Sequence, residues 1–129
     1  MPGKTICVVD DDPSIRRALS RLLRAFSLPV VTYGSAEGFL DGSHPDDVAC
    51  LILDVRMDGM SGLDLYDRLR AAGNGTPPVI FITAHDDAVT RRRIDHSDAI
   101  AFLPKPFEMT TLLSAVGRAI GRDLLRATG

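Results

Sequence analysis

Tryptophan is absent from this chain of 129 residues, and aromatics make up only 5% of it, so any core must be built from aliphatic side chains. No apolar run approaches the roughly 18 residues that a membrane span needs. The amino-terminal stretch MPGKTICVVDDD is too short in its apolar part for a signal peptide and closes on three carboxylates. A basic excess is missing as well: 15 Lys and Arg face 17 Asp and Glu, for a formal net charge of −2. A nucleic-acid-binding domain shows a basic excess or a basic stripe, so the expectation is a cytoplasmic protein with no direct nucleic-acid or membrane contact. Cysteine is scarce. Cys7 and Cys50 lie inside the apolar runs ICVV and CLIL, without CxxC or metal-ligand spacing, and read as buried, reduced thiols. Lysine is equally scarce: Lys4 and Lys105 stand against 13 Arg. Lys105 is the unusual one, because Pro104 and Pro106 fix the backbone on both sides of it.

What is present is ordinary for a globular protein, at 45% hydrophobic and 25% charged residues. The length fits one domain with a real core. Short apolar runs alternate with helical patterns five times, with strands predicted at residues 5–10, 30–33, 48–54, 79–83 and 99–103. ICVV, CLIL and VIFI are continuous rather than alternating, as strands covered on both faces should be. The first helix is predicted over 13–26, capped by Asp12, with Ile15, Leu19, Leu22 and Phe26 as its apolar stripe. The second runs from Ser35 to near Gly42, the third from Ser61 to Gly73, the fourth after Asp87, and the last from about Glu108 with Leu113, Val116, Ile120 and Leu124. Five βα units with right-handed crossovers make one doubly wound parallel sheet, an α/β fold of the (βα)5 kind, with strand order 2-1-3-4-5 the leading candidate. Ligands of such sheets sit outside the carboxyl ends of the strands, here between the first and third.

The predicted strand ends carry chemistry. The first closes on Asp10, Asp11 and Asp12, the third on Asp54, the fourth on Thr83, and Lys105 follows the fifth. Carboxylates converging on one point repel each other and raise each other's pKa. A hard divalent cation such as Mg²⁺ is the simplest relief, since it takes oxygen ligands and commonly binds one or two carboxylates plus phosphate oxygens. A cation, a carboxylate nucleophile, a hydroxyl and an ammonium together suit phosphoryl chemistry, with Asp54 attacking and Thr83 and Lys105 meeting the phosphoryl oxygens. Asp12 reads more simply as a helix cap.

The stretches VVDDDPSIR, CLILDVRMDGMSGLDL, PVIFITAHDD and AFLPKPF stand in the order and spacing of bacterial response-regulator receiver domains. The chain resembles that family over residues 4–121, and in detail the nitrogen-fixation (FixJ-like) group of transcriptional regulators. The resemblance implies a flavodoxin-like fold and a phosphorylation-activated switch rather than a turnover enzyme. It implies Asp54 as phosphoacceptor, Asp11 as direct Mg²⁺ ligand with Asp10 acting mostly through water, and the Arg56 carbonyl as a further ligand. It also implies phosphoryl contacts from Thr83 and Lys105, a cis Lys105–Pro106 bond, and Phe102 as an aromatic that changes rotamer on activation. Arg56 and His85 fall where receivers roof the pocket and set the lifetime of the phosphoryl group. The implied partners are a sensor histidine kinase and an output domain or protein partner, with a second copy of the chain as one candidate for the face of helix 4, strand 5 and helix 5. Residues 1–121 would form the receiver, and 122–129 a helical extension or the start of a linker.

Three positions depart from the family. Asp58 replaces a common Pro, which adds a carboxylate and frees the loop after Asp54. Asp98 replaces a common Gly and is expected to accept a positive φ at some cost. Ala101 replaces a frequently acidic residue on the partner-facing side. Two other enzyme or cofactor classes compete. A haloacid-dehalogenase-like phosphatase would use Asp10 as nucleophile, but it needs a later carboxylate motif and leaves Asp54 idle. A flavodoxin-like cofactor protein would need a phosphate cradle where three carboxylates stand. A binding-only pseudo-receiver is the third rival, against which all five chemical positions are intact. The run Arg91-Arg92-Arg93 reads as a solvated helix face, or else as a partner or dimer contact.

Overall fold

The computed structural model describes residues 4–73, 75–84 and 87–125. Five strands, β1 (Thr5–Val9), β2 (Val30–Tyr33), β3 (Val48–Asp54), β4 (Val79–Thr83) and β5 (Ala101–Pro104), alternate with five α-helices. These are α1 (Pro13–Ala25), α2 (Ala36–Gly42), α3 (Gly62–Ala71), α4 (Ala88–Asp95) and α5 (Met109–Ile120). All pairings are parallel and the order is β2-β1-β3-β4-β5. The fifth strand begins later than the apolar run suggests. The Ile100 N–H already bonds the Val79 carbonyl, but the ladder starts with Ala101 opposite Ile80.

Successive strand residues point to opposite faces, and here both faces are buried. Ile6, Val8, Ile52, Ile80 and Ile82 pack on one side with Leu19 and Leu23 of α1 and Leu112 and Val116 of α5. Cys7, Val9, Leu51, Leu53 and Phe81 pack on the other with Phe39 of α2, Leu65 and Tyr66 of α3 and Ile94 of α4. Phe39 and Phe81 are the aromatics among the fully buried large side chains, and aliphatics fill the rest. Cys7 and Cys50 fall on opposite faces, with Leu51 and Ile6 as their register partners, and both are free thiols.

The α1 cap is as expected, with Asp12 accepting from the Ser14 N–H at 2.8 Å and Pro13 in the first turn. The stripe is rotated from the expected one. Leu19 and Leu23, four apart, are the fully buried pair, while Ile15, Leu22 and Phe26 are only half-buried. Two expectations fail. Asp98 does not take a positive φ; among described non-glycine residues only Ser27 does. Side-chain ties hold the turn instead: the Asp98 N–H donates to the Tyr66 hydroxyl at 2.8 Å, and its carboxylate accepts from Arg70 at 2.6 Å. The helical pattern also does not run on past α5. Gly121 adopts the left-handed conformation, and the Arg122 N–H bonds back to the Gly117 carbonyl. The turn folds so closely over α5 that a Cβ on Gly117 would lie 2.4 Å from the Arg122 carbonyl. It returns Leu124, 2% exposed, to the core. His85 and residues 126–129 of the predicted extension lie outside the described residues.

Candidate functional site

Asp10, Asp11 and Asp54 meet at the carboxyl ends of β1 and β3, with one carboxylate oxygen of each within 4.8 Å of the others. Their settings differ. Asp10 is fully buried, accepting from the Lys105 ammonium at 2.8 Å on one oxygen and from the Asp12 N–H at 2.9 Å on the other. Its own carbonyl accepts from Arg16 at 2.7 Å, which fixes the turn into α1. Asp54 ends β3 buried, with the Lys105 ammonium 3.5 Å away and the backbone N–H of Arg56 helping to hold its charge. Asp11 is exposed and forms the open side. Thr83, fully buried, ends β4 one residue beyond Ile82, the register partner of Asp54. Lys105 reaches in from just past β5, where its N–H bonds the Thr83 carbonyl at 2.7 Å and its bond to Pro106 is cis.

The electrostatics follow from burial. Desolvation, reinforced by the charge of Asp10, pushes the Asp54 carboxyl up to about 6 against the opposing pull of Lys105. Burial also disfavours the charge of Lys105, yet its hydrogen bond to Asp10 and the charges of Asp54 and Asp10 leave its pKa raised. Lys105 therefore stays an ammonium, and one cation faces three carboxylates. Three hard oxygen donors, one open to solvent, form a set that could hold a divalent cation and relieve that imbalance. A hollow of about 780 Å³ at the opposite, amino-terminal end of the sheet, between Ile6, Leu28, Val48, Pro78 and Ile120, contains none of these groups.

The segment after Asp54 carries groups that spacing alone did not mark. Gly62, the first residue of α3, lies so close that a Cβ there would sit 2.1 Å from the Asp54 carbonyl oxygen. Only glycine lets α3 start over the root of the site, and GMSG in the sequence is its sole signal. The loop itself is tied on two sides. Glu37 of α2 accepts from the Met60 N–H at 3.1 Å. The Arg56 guanidinium reaches the Asp87 carboxylate at 2.6 Å. Asp87 is also the N-cap of α4, accepting from the Thr90 N–H at 2.8 Å. That N–H, the Arg56 guanidinium and the Thr90 hydroxyl hold the Asp87 carboxyl down at about 2. Asp58 is exposed and lies outside the carboxylate cluster, and the segment around it meets α2 through Met60 and the start of α4 through Arg56.

Phe102 is half-buried on β5 opposite Phe81, and the Arg91 guanidinium covers its ring 4.9 Å from the centroid. Arg93 pairs with Asp67 at 2.9 Å and lies 3.6 Å from Asp64, both on α3. Two of the three arginines of the basic run thus serve packing within the domain.

A doubly wound parallel sheet with an acidic cluster, a strand-end threonine and a half-buried lysine at its carboxyl edge is of the flavodoxin-like kind. The family model for the response regulator receiver domain matches residues 6–117, and the chain belongs to that family. It is 46% identical over 121 residues to Nodulation protein W of Bradyrhizobium diazoefficiens, covering 94% of this chain and 53% of that protein. It is 39% identical over 116 residues to Transcriptional regulatory protein FixJ of Azorhizobium caulinodans, covering 90% and 54%. The solved structure titled FixJ-N superposes with a TM-score of 0.80 at 33% identity, covering 94% of this chain and 96% of that one. The chain spans about half the length of the curated relatives it matches. Among the described residues no helix is long and apolar enough to cross a membrane.

Proposed function

We propose that the chain is a phosphorylation-activated signalling switch in which Asp54 receives a phosphoryl group from a phosphohistidine of a sensor kinase or from a small donor such as acetyl phosphate. The observation that carries this reading is the convergence of Asp10, Asp11 and Asp54 with Lys105 between them. A carboxylate oxygen of Asp54 attacks phosphorus in line. The new O–P bond forms as the donor's N–P or O–P bond breaks, and the leaving group keeps the electron pair. Lys105 meets the charge on the equatorial oxygens and the Thr83 hydroxyl donates to one of them. Asp11, Asp54 and the Arg56 carbonyl would hold Mg²⁺, with Asp10 acting mostly through water, and the ion would supply further charge neutralisation. Hydrolysis returns the carboxylate: a water oxygen bonds to phosphorus, the bond to Asp54 breaks, and orthophosphate leaves. Arg56 and His85 set its rate. This is one cycle of a switch and not turnover of a metabolite.

Asp10 is enclosed with both oxygens engaged, which disfavours the phosphatase reading that needs it as nucleophile. Output runs through Thr83 and Phe102 to the surface of α4, β5 and α5. There it meets an output domain, a protein partner or a second copy in a cytoplasmic two-component pathway, with transcription as the regulated process, as the names of the relatives suggest. The receiver core reaches as far as Leu124, so a linker to an output domain would begin after it rather than at residue 122.

The test is intact-mass measurement with acetyl phosphate, with and without Mg²⁺, on the wild type and Asp54→Asn. The expected result is one phosphoryl mass on the wild type, only with Mg²⁺, and none on the variant. An adduct that survives the substitution refutes the assignment.

A further inference from the structure

Arg56 stands on both sides of a boundary. It follows Asp54 by two residues, and its backbone N–H helps to hold the charge of the Asp54 carboxylate. Its side chain turns away to the Asp87 carboxylate at 2.6 Å. One oxygen of that carboxylate caps α4 through the Thr90 N–H, while the other carries both Arg56 and the Thr90 hydroxyl, at 3.1 Å. The same helix, one turn on, lays Arg91 over Phe102.

Both partners of the ion pair are exposed, 55% and 41% at the side chain, so solvent and salt screen it and it is weak. A phosphoryl group on Asp54 would put a dianion with three acceptor oxygens beside the backbone of Arg56. Arginine meets such oxygens with paired, charge-assisted hydrogen bonds stronger than those of an exposed carboxylate pair. The side chain can exchange partners by rotation about its own bonds, without moving the loop that Glu37 and Gly62 hold.

We infer that Arg56 is a further phosphoryl-binding residue held in reserve by Asp87, and that its transfer to the phosphoryl group on Asp54 releases α4 from the phosphoacceptor loop. The inference rests on the phosphoacceptor reading and adds to it a defined cation, a defined competitor and a defined consequence. Asp87 acts as a positioning residue, solely through Arg56. Its cap on α4 survives the exchange, so the helix stays formed while losing its tether. Arg91 and Phe102, carried by α4 and the neighbouring β5, are then free to re-pack.

The test uses the whole chain with acetyl phosphate and Mg²⁺. Phosphoryl lifetime is read by intact mass and α4 amide exchange by mass spectrometry, for wild type, Asp87→Asn, Arg56→Ala and the double variant. Asparagine still caps a helix, so Asp87→Asn removes the charge that holds Arg56 and little else. Freed Arg56 should then change the lifetime several-fold relative to wild type, and α4 should exchange faster before any donor is added. In the Arg56→Ala background the same substitution should have no effect on lifetime, an outcome that a merely structural Asp87 would not give. Equal lifetimes for wild type and Asp87→Asn, or additive effects of the two substitutions, overturn the inference while leaving Asp54 as acceptor. A wild type that gains no phosphoryl mass overturns both readings together.

Discussion

Leu51, Ile52 and Leu53 lead into Asp54 from within the sheet, each without solvent exposure and each packed against one of the two cores, whereas Arg56 to Met60 lead out through a loop held by one contact to α2 and one to α4. The carboxylate thus sits at the seam between a part that cannot yield and a part that can. Close-packed aliphatics lose much when moved, while exposed hydrogen bonds exchange partners at small cost. The sheet therefore fixes where the phosphoryl group forms, and the loop is free to report that it has formed.

Truncating the rigid side should have the largest effect. Leu51→Ala should cost about 2–5 kcal/mol, read as a lowered midpoint in urea, with phosphoryl uptake intact in the fraction that remains folded. A loss below that range would erase the distinction between the two sides. Gly62→Ala attacks the seam itself. A methyl placed 2.1 Å from the Asp54 carbonyl should cost about 1–3 kcal/mol by overpacking and slow uptake from acetyl phosphate. Normal stability with slow uptake would show that the glycine serves the site alone.

Asp54→Asn works in the opposite direction. In the folded state the carboxyl titrates near 6 rather than near 4, so between those values the folded protein holds a proton that the unfolded chain has released. Its contribution to stability is therefore present below pH 4 and lost as pH rises through 6. Asparagine removes that loss. At about 1.4 kcal/mol per pH unit, the variant in a chelating buffer should be more stable than wild type by about 1–3 kcal/mol at pH 7 and equal to it below pH 4. Paired urea titrations at the two pH values check this, and a pH-independent difference would place the effect outside ionisation. The smallest expected effect is at the start of α1, where Asp12→Ala should cost about 1 kcal/mol and leave phosphoryl uptake near the wild-type rate, since Asp12 lies outside the carboxylate cluster.

The strands and their order were legible because apolar runs bounded by turn residues report burial on both faces directly. β2, β3 and β4 fall where the runs place them. The cluster of Asp10, Asp11, Asp54 and Lys105 was legible because residues at strand ends converge once the order is known. What could not be read were contacts made by side chains across loops. Asp87 gave only a helix-start signal, and nothing in its neighbourhood pointed to Arg56, 31 positions away. Glu37 gave none for Met60. Asp98 misled because an Asp in place of a Gly suggested a strained backbone, when the Tyr66 hydroxyl and Arg70 hold the turn without one. Residues 122–125 misled because Leu124 keeps the helical spacing of α5 but reaches the core through a reversal of the chain.

The two cysteines make the halves of the core separately observable. Burial pushes the Cys50 thiol up to about 12 and raises that of Cys7, where hydrogen bonds to Thr5 and Ser43 only partly offset it. Neither is a thiolate at neutral pH, and the thiolate is the form that reacts. Alkylation therefore has to wait for the fold to open. Cys7 lies under α2 and α3 and Cys50 under α1 and α5, so each thiol acts as a clock for one side of the sheet. Equal labelling rates would mark the domain as a single opening unit, and a faster Cys7 would show that the side carrying α4 breathes on its own.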